Sequence, residues 1–188
     1  MGVDHLGRAV LAMDDILVGP DGPDGPEIVA ALRAAAPGWL VDQVDAAEAQ
    51  VRSGSLRAAA EMGMSAGVDL PADQHPGWLR LDLCDALVRW VAGQGSTCVH
   101  APAAVRPEPV AAAAWRPGLV VCERCTHLLA LPRHSVADRR CDGCGRITTG
   151  PENGDGIWPT VVVVGVLTYL FGVCLDCKYW DDESGAAS

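Results

Sequence analysis

The chain has 188 residues, a formal net charge of −10 and an apolar content of 49%. This composition fits one compact domain or two small ones, and it excludes a chain that is disordered throughout. The acidity also makes the chain as a whole a poor generic binder of phosphate backbones, because such binding depends on cationic side chains.

Charge is distributed unevenly along the chain. Residues 1–97 hold six Arg and fourteen acidic residues, a net charge of −8. Residues 98–150 hold seven Arg and four acidic residues, a net charge of +3. Residues 151–188 hold Lys178 and six acidic residues, a net charge of −5. Only the central segment therefore has the charge that a nucleic acid would favour.

Apolar residues at helical spacing predict helices in the first half of the chain. They are expected at about 4–18, 26–36, 39–51 with a short continuation after Ser55, and about 76–92. The Gly-Pro-Asp repeat over 19–26 predicts a tight loop between the first two helices. The run after Ser55 is expected to end at Gly63, Gly67 and Pro71.

The helix at about 76–92 is predicted to be the central one of a small bundle. Its expected buried arc comprises Trp78, Leu81, Cys84, Leu87, Val88 and Val91. Cys84 is interpreted there as a small core hydrophobe and not as a reactive thiol. Asp85 and Arg89 are spaced to form an i,i+4 ion pair on the other side.

A change in composition at 93–97 predicts a domain boundary. Helical periodicity stops there, and Pro and β-branched residues become frequent. We therefore expect an α+β protein with an acidic helical bundle over 1–95 and a β-rich, double zinc-binding module over 96–180. A flexible acidic tail is expected over 181–188.

The second half carries eight metal-ligand side chains in four close pairs, and eight ligands are what two four-coordinate zinc ions require. The pairs are Cys98-x-His100, Cys122-x-x-Cys125, Cys141-x-x-Cys144 and Cys174-x-x-Cys177. Disulfides are a weaker interpretation, because cysteine is too sparse for a disulfide scaffold and the N-terminus does not resemble a signal peptide. We predict a cytoplasmic location. A redox dithiol at Cys174 and Cys177 would need a βαβ unit, which the sequence does not suggest.

The spacing of the middle two pairs falls within the window for a four-cysteine zinc site. Residues 122–146, through these cysteines and the following Gly145-Arg146, resemble the zinc-ribbon family. The resemblance implies two knuckles at the ends of β-hairpins that hold one zinc ion. The expected inner site is Cys122, Cys125, Cys141 and Cys144, and the expected outer site is Cys98, His100, Cys174 and Cys177.

A cross-braced arrangement is the alternative to this nested one. In it, Cys98 and His100 join the pair at 141 and 144, while the pair at 122 and 125 joins the pair at 174 and 177. His127 and His134 are rival ligands, although His127 is not needed if all four inner cysteines bind.

The segment between Asp155 and Asp176 has no charged residue, so a membrane span is one alternative. Pro159, Gly165 and the run of valines at 161–164 favour a different interpretation. We expect a buried hairpin, or two short strands, that ends in a zinc knuckle.

Recognisable catalytic motifs are missing from the sequence. Zinc-deaminase, zincin, Walker, nucleophile-elbow and dinucleotide-binding patterns do not occur. Four protein ligands also leave no open position on a zinc ion, so the metal is expected to be structural.

Three functions are compatible with the sequence. The preferred one is a non-catalytic interaction or regulatory protein that docks on a protein partner. Trp115 or Tyr179-Trp180 could be exposed anchors, although core or hairpin packing is the favoured interpretation of each Trp. The second is nucleic-acid binding through arginines near the inner site, namely Arg124, Arg133, Arg139, Arg140 and Arg146. The third is an enzyme, or an accessory subunit of one, without a recognisable motif.

Overall fold

A computed structural model describes residues 5–18, 25–62 and 70–180. The helices are α1 (His5–Val18), α2 (Gly25–Ala35), α3 (Gly38–Met62) and α4 (Gly77–Val91). The strands are β1 (Ser96–Thr97), β2 (Val110–Ala113), β3 (Leu119–Cys122), β4 (Trp158–Val164) and β5 (Leu167–Val173). The chain is therefore a mixed α+β protein, in agreement with the predicted class.

The helix positions follow the sequence pattern closely. α1 and α4 begin and end within one residue of the expected bounds. α2 begins at Gly25 and has Pro26 in its first turn, where the missing N–H costs nothing. The segment predicted as a helix with a continuation forms one element, α3. The predicted loop residues 19–24, the expected stops at Gly63 and Gly67, and the tail 181–188 lie outside the described residues.

The strands form one five-stranded sheet in the order β1-β3-β2-β5-β4. β1 runs parallel to β3, and β2 runs parallel to β5. The β2–β3 and β4–β5 pairs are antiparallel. The parallel pairs bring the carboxyl ends of strands that are distant in sequence to the same side of the sheet.

The main hydrophobic core lies between α4 and one face of this sheet. On α4, the side chains that it buries are Leu79, Leu83, Ala86 and Trp90. The sheet contributes Val110, Val120, Val162, Leu167, Tyr169, Phe171 and Val173. The indole N–H of Trp90 donates to the carbonyl of Pro102 at 2.9 Å, so this large side chain is buried without losing a hydrogen bond.

The predicted buried arc of α4 was partly wrong. Leu81 and Val88 are only half-buried, and Val91 is 66% exposed. The apolar residues of α4 cover a wide arc, and the position of the sheet decides which part of that arc is enclosed. Cys84 is fully buried, as expected of a core hydrophobe, and this burial raises the pKa of its thiol to about 11.

Two arginines of α4 form ion pairs, and one of these pairs joins α4 to α1. Arg80 donates to Asp14 of α1 at 2.8 Å and to the carbonyl of His75 at 2.7 Å. The predicted pair of Asp85 and Arg89 is confirmed, with a shortest nitrogen–oxygen distance of 2.7 Å. α4 thus contacts α1 on one side and the sheet on the other. The predicted division at residue 95 stays a prediction, although the main core includes residues on both sides of it.

The uncharged segment forms the antiparallel hairpin β4–β5, which ends at the knuckle residue Cys174. The expectation of a hairpin is therefore confirmed. Among the described residues, no helix has the length and apolar character required to cross a membrane.

Candidate metal centres

The first cluster of metal-ligand side chains comprises Cys98, His100, Cys122 and Cys125, and we call it the histidine cluster. Cys98 follows β1 directly, and Cys122 is the last residue of β3. Cys125 lies in the short 3-10 helix that continues from β3. β1 and β3 are parallel neighbours, with Thr97 opposite Val120, so both strands deliver their ligands to the same side of the sheet.

Donor atoms in the histidine cluster are close together. The sulfur atoms of Cys98 and Cys122 are 3.7 Å apart. Nδ1 of His100 lies 3.3 Å from the sulfur of Cys125, 3.4 Å from that of Cys122 and 4.0 Å from that of Cys98. The three cysteines are buried, whereas His100 is exposed. The cluster therefore consists of three buried thiols and one exposed imidazole.

The second cluster comprises Cys141, Cys144, Cys174 and Cys177, and we call it the all-cysteine cluster. Cys141 and Cys144 lie in a loop that docks on the end of β5. There the N–H of Asp142 donates to the carbonyl of Gly172 at 2.8 Å, and the carboxylate of Asp142 accepts from the N–H of Gly172 at 2.7 Å. This reciprocal pair holds the loop beside Cys174, which follows β5.

Donor atoms in the all-cysteine cluster are about as close together as those in the histidine cluster. The sulfur atoms of Cys144 and Cys174 are 3.9 Å apart, and the N–H of Cys174 donates to the sulfur of Cys141 at 3.3 Å. Gly145 takes a positive φ of 74°, and its N–H donates to the carbonyl of Cys141 at 2.8 Å. A residue with a side chain would be strained in this conformation, so the glycine allows the tight knuckle turn.

The arrangement of the four pairs differs from both predicted arrangements. The inner set does not assemble, because the pair at 122 and 125 joins Cys98 and His100, while Cys141 and Cys144 join Cys174 and Cys177. The nested and the cross-braced alternatives were therefore both wrong. The expected composition, one site of four cysteines and one of three cysteines with a histidine, is nevertheless found. Sheet topology explains the difference, since β1 lies beside β3 and the 141–144 loop docks on β5.

The donor geometry suits a tetrahedrally coordinated metal ion. Two sulfur ligands at about 2.3 Å from a tetrahedral metal are about 3.8 Å apart, and a sulfur and a nitrogen ligand are about 3.6 Å apart. The observed sulfur–sulfur distances of 3.7 and 3.9 Å agree with this value. They are much longer than a disulfide bond, and all eight cysteines are free thiols. Each cluster could therefore hold one metal ion.

Electrostatics differ among the thiols of the histidine cluster. Burial opposes the ionisation of Cys98, but hydrogen bonds with the backbone and side chains of Cys122 and His100 lower its pKa to about 6. Burial and the neighbouring cysteines raise the pKa of Cys125 to about 11. Metal binding needs thiolates, so loading this cluster would release the protons that its thiols still hold.

Arg146 is the cation of the all-cysteine cluster. Burial opposes the ionisation of Cys174, but hydrogen bonds from Arg146 and neighbouring cysteines lower its pKa to about 7. The guanidinium also lies 3.0 Å from Asp155 and 3.4 Å from Asp176. The hydrogen bond with Cys174 and these carboxylates raise the pKa of Arg146. Arg146 thereby links the loop after Cys144 to the knuckle after β5.

Sequence reasoning did not identify Asp142 as a supporting residue, nor the close approach of Trp78 and Cys177 to Gly143. Burial raises the pKa of Asp142 to about 6, although its hydrogen bond with Gly172 opposes that shift. A Cβ atom at Gly143 would lie 3.3 Å from the indole nitrogen of Trp78 and 3.4 Å from Cβ of Cys177. An Asp-Gly pair inside a knuckle is the signal in the sequence. The role of this pair depends on its contacts with Trp78 of α4 and Gly172 of β5, which are distant in the sequence.

The five arginines named from the sequence have different environments. Arg146 contacts Asp155, Asp176 and Cys174, as described above. Arg140 donates to the carbonyl of Gly145 at 3.4 Å. Arg139 is half-buried, and its Nε has no hydrogen-bond partner within the described residues. Arg124 and Arg133 are exposed and form no ion pair in the part of the chain that the structure describes.

Other candidate residues from the sequence lie outside the two clusters. His127 and His134 are exposed and belong to neither of them. The backbone N–H of His134 donates to Asp138 at 2.7 Å. Trp180 is only 8% exposed and packs edge-to-face on Phe171, in agreement with the favoured interpretation of core packing, and it is not an exposed anchor. Trp115 is half-buried and donates to the carbonyl of Leu129 at 2.7 Å.

Comparisons of the chain with protein-family models, with curated proteins and with solved structures found no match.

Proposed function

We propose that this chain is a non-catalytic zinc-binding protein in which two structural zinc ions hold a surface that docks on a protein partner. The observation that carries the proposal is the closed donor set of each cluster. Four ligand atoms lie within 4.8 Å of one another in both clusters. A metal ion held by four protein ligands has no open position for water or substrate, which a catalytic zinc requires.

The chemistry of the donors favours zinc over other metals. Thiolate and imidazole ligands in tetrahedral sets are typical of zinc, whereas calcium and magnesium prefer oxygen ligands. A divalent ion with three thiolates and an imidazole carries a net charge of about −1, and one with four thiolates about −2. The Arg146 guanidinium beside the all-cysteine cluster offsets part of the larger charge.

Exposed apolar side chains on the metal-binding loops support a docking role. Val99, between Cys98 and His100, is 93% exposed, and Leu175, between Cys174 and Cys177, is 59% exposed. Leu128, three residues after Cys125, is also exposed. Metal coordination would fix the backbone on either side of these residues, so a partner would meet them without a large cost of ordering loops. Because β5 runs antiparallel to β1 and β3, the two clusters lie at opposite ends of the sheet. We infer that the partner contacts the end that carries the histidine cluster, at Val99 and Leu128.

The proposal is tested with photo-crosslinking residues at Val99 and Leu128 in the zinc-loaded protein, expressed in its source cells. A matched control places the same group at Val105, which is 76% exposed but lies outside the knuckles. We expect one protein to be crosslinked from positions 99 and 128 and not from position 105. Substitution of both Val99 and Leu128 by Asp should abolish that complex without changing zinc content.

Three outcomes would contradict the proposal. The first is equal crosslinking from the control position. The second is a change in the absorption spectrum of the cobalt-loaded protein when an exogenous ligand such as imidazole is added, because it would reveal an open coordination position. The third is salt-dependent binding to nucleic acid that disappears in the Arg124→Glu, Arg133→Glu double variant, because it would assign the function to the arginines instead.

A further inference from the structure

The two edges of the sheet differ in length and chemistry. β1, at one edge, has only two residues, and such short edge strands are a common protection against unwanted pairing. β4, at the other edge, has seven residues and includes four consecutive valines. It is paired with β5 along its whole length, so its other side forms the edge of the sheet.

Hydrogen bonds to β2 determine which backbone groups of β4 point outward. The N–H of Val110 donates to the carbonyl of Val166, and that of Ala114 donates to the carbonyl of Leu170. The backbone N–H and C=O groups of the even-numbered residues of β5 therefore point towards β2. Those of the odd-numbered residues 167–173 point towards β4. Their partners are residues 158, 160, 162 and 164. The backbone groups of residues 159, 161 and 163 consequently point away from the sheet.

These outward groups offer hydrogen bonds that the described part of the chain does not use. Neither Val161 nor Val163 forms a backbone hydrogen bond outside the β4–β5 ladder within the described residues. Pro159 also lies on the outward side, where its missing N–H leaves the ladder to β5 intact. The Val161 and Val163 positions thus form a short segment of open edge with both donors and acceptors.

The side chains of β4 do not protect this edge. Natural edge strands usually carry a charge, often lysine, that prevents pairing with another chain. No residue from 158 to 164 is ionisable, and Val163 and Val164 are exposed. Only Pro159 is a protective residue, and it lies at the start of the strand.

We propose that β4 pairs with β4 of a second copy of this chain, antiparallel and about a two-fold axis at Val162. In this register, Val161 of each copy lies opposite Val163 of the other, and each such pair exchanges both of its N–H···O bonds. The pairing does not require the missing N–H of Pro159. The exposed Val163 side chain packs beside Val161 of the second copy.

Charge at the two ends of β4 favours the antiparallel two-fold arrangement. Nζ of Lys178 lies 4.7 Å from the ring centre of Trp158, at the start of the strand. The carboxylate of Glu48 lies beside Gly165, just after its end. Antiparallel pairing brings the start of one β4 next to the end of the other, so each Lys178 approaches the Glu48 of the second copy. The middle of the strand brings no like charges together, although each chain has a net charge of −10.

The assembly would stop at a dimer. A two-fold contact uses the same surface on both copies, and it leaves only the short β1 edge at each end of the joined sheet. A continuous ten-stranded sheet across two chains is the predicted product. This inference does not depend on the proposed function, since it concerns the sheet edge and not the metal clusters.

The test measures the mass of the zinc-loaded full chain by sedimentation equilibrium over a range of concentrations. We expect a dimer for the native chain and a monomer for Val163→Lys, which places a charge at the pairing position of each copy. Val163→Pro removes an outward N–H and should also give a monomer. Val105→Lys is the control, because it adds the same charge at an exposed position away from β4, and it should remain dimeric.

Hydrogen exchange identifies the strand involved. In the native chain, the amides of Val161 and Val163 should exchange more slowly as the concentration increases, whereas in Val163→Lys the amide of Val161 should exchange rapidly at every concentration. A native chain that stays monomeric would overturn the proposal. A dimer that persists in Val163→Lys, with unprotected amides at 161, would overturn it as well. If Val163→Pro does not fold, the lysine variant still decides the outcome.

Discussion

The histidine cluster and the all-cysteine cluster have similar donor geometry but different surroundings. Cys98, Cys122 and Cys125 belong to a small core on one face of the sheet, together with residues such as Val121 and Leu129. Cys141 and Cys174 belong to the main core with Phe171 and the buried residues of α4. One metal ion would therefore stabilise a corner of the sheet, whereas the other would stabilise the centre of the protein.

Removal of both metal ions should have the largest effect and tests whether the clusters stabilise the fold at all. A structural zinc site contributes on the order of 10 kcal/mol to the folding of isolated zinc-finger peptides. We therefore expect a strong chelator to unfold the sheet, and α4 with it, because they share the main core. Circular dichroism and tryptophan fluorescence would measure this loss. Retention of native near-ultraviolet dichroism in the metal-free protein would contradict the expectation.

Single cysteine substitutions should separate the two clusters. Cys141→Ser and Cys98→Ser each remove one sulfur ligand, so each should reduce the zinc content by one ion per chain. We expect Cys141→Ser to lower the free energy of unfolding more, by a difference on the order of several kcal/mol, because it disrupts the main core. Chemical denaturation together with metal analysis would measure both effects. Equal destabilisation by the two variants would contradict the proposed difference between the clusters.

The outward ligand of each cluster allows an exchange experiment. His100 and Cys144 are both exposed, so a change of ligand type at either position should not disturb core packing. His100→Ala should lose most of its affinity for metal, whereas His100→Cys should retain a closed tetrahedral site. The cobalt-loaded His100→Cys variant should show stronger thiolate-to-metal absorption. Cys144→His is the matched control and should show weaker absorption. Unchanged metal affinity in His100→Ala would indicate that His100 is not a ligand.

Arg146→Gln should have the smallest effect and should be confined to one cluster. Loss of the cation beside Cys174 should weaken metal binding there by about 10-fold, as is common when a group that orients a ligand is removed. The histidine cluster should keep its affinity. Competition with a chromophoric chelator would measure both sites, and Arg124→Gln provides the control at an exposed arginine next to Cys125. Weakening of both sites by Arg146→Gln would indicate a general loss of stability instead.

Much of the fold could be predicted because it depends on short-range patterns. The helical spacing of apolar residues located α1 and α4, and the uncharged valine-rich segment predicted the hairpin β4–β5. The Asp85–Arg89 pair was also correct, since residues four apart on a helix are neighbours whatever surrounds them. The buried arc of α4 was less accurate, because the sheet determines which apolar side chains it covers.

The burial of single side chains also depended in part on local sequence and in part on tertiary contacts. Cys84 was correctly interpreted as a core residue, because its position in a long apolar arc leaves few alternatives. For Trp180, core packing was favoured over an exposed anchor, but the local sequence did not identify its packing partners. Its burial depends on Phe171 in β5 and on the docking of the chain after Cys177, which the local sequence does not encode.

The sequence by itself determined the eight candidate ligands, their four close pairs and the composition of two sites. This was possible because two ligands can approach one ion from a single turn only at a spacing of a few residues. Only the tertiary structure decided which pairs meet. That choice depends on the parallel neighbours β1 and β3 and on the docking of the Asp142 loop against Gly172. Such contacts join residues distant in sequence. Local spacing alone does not select them, because each ligand pair could complete a four-ligand site with any other pair.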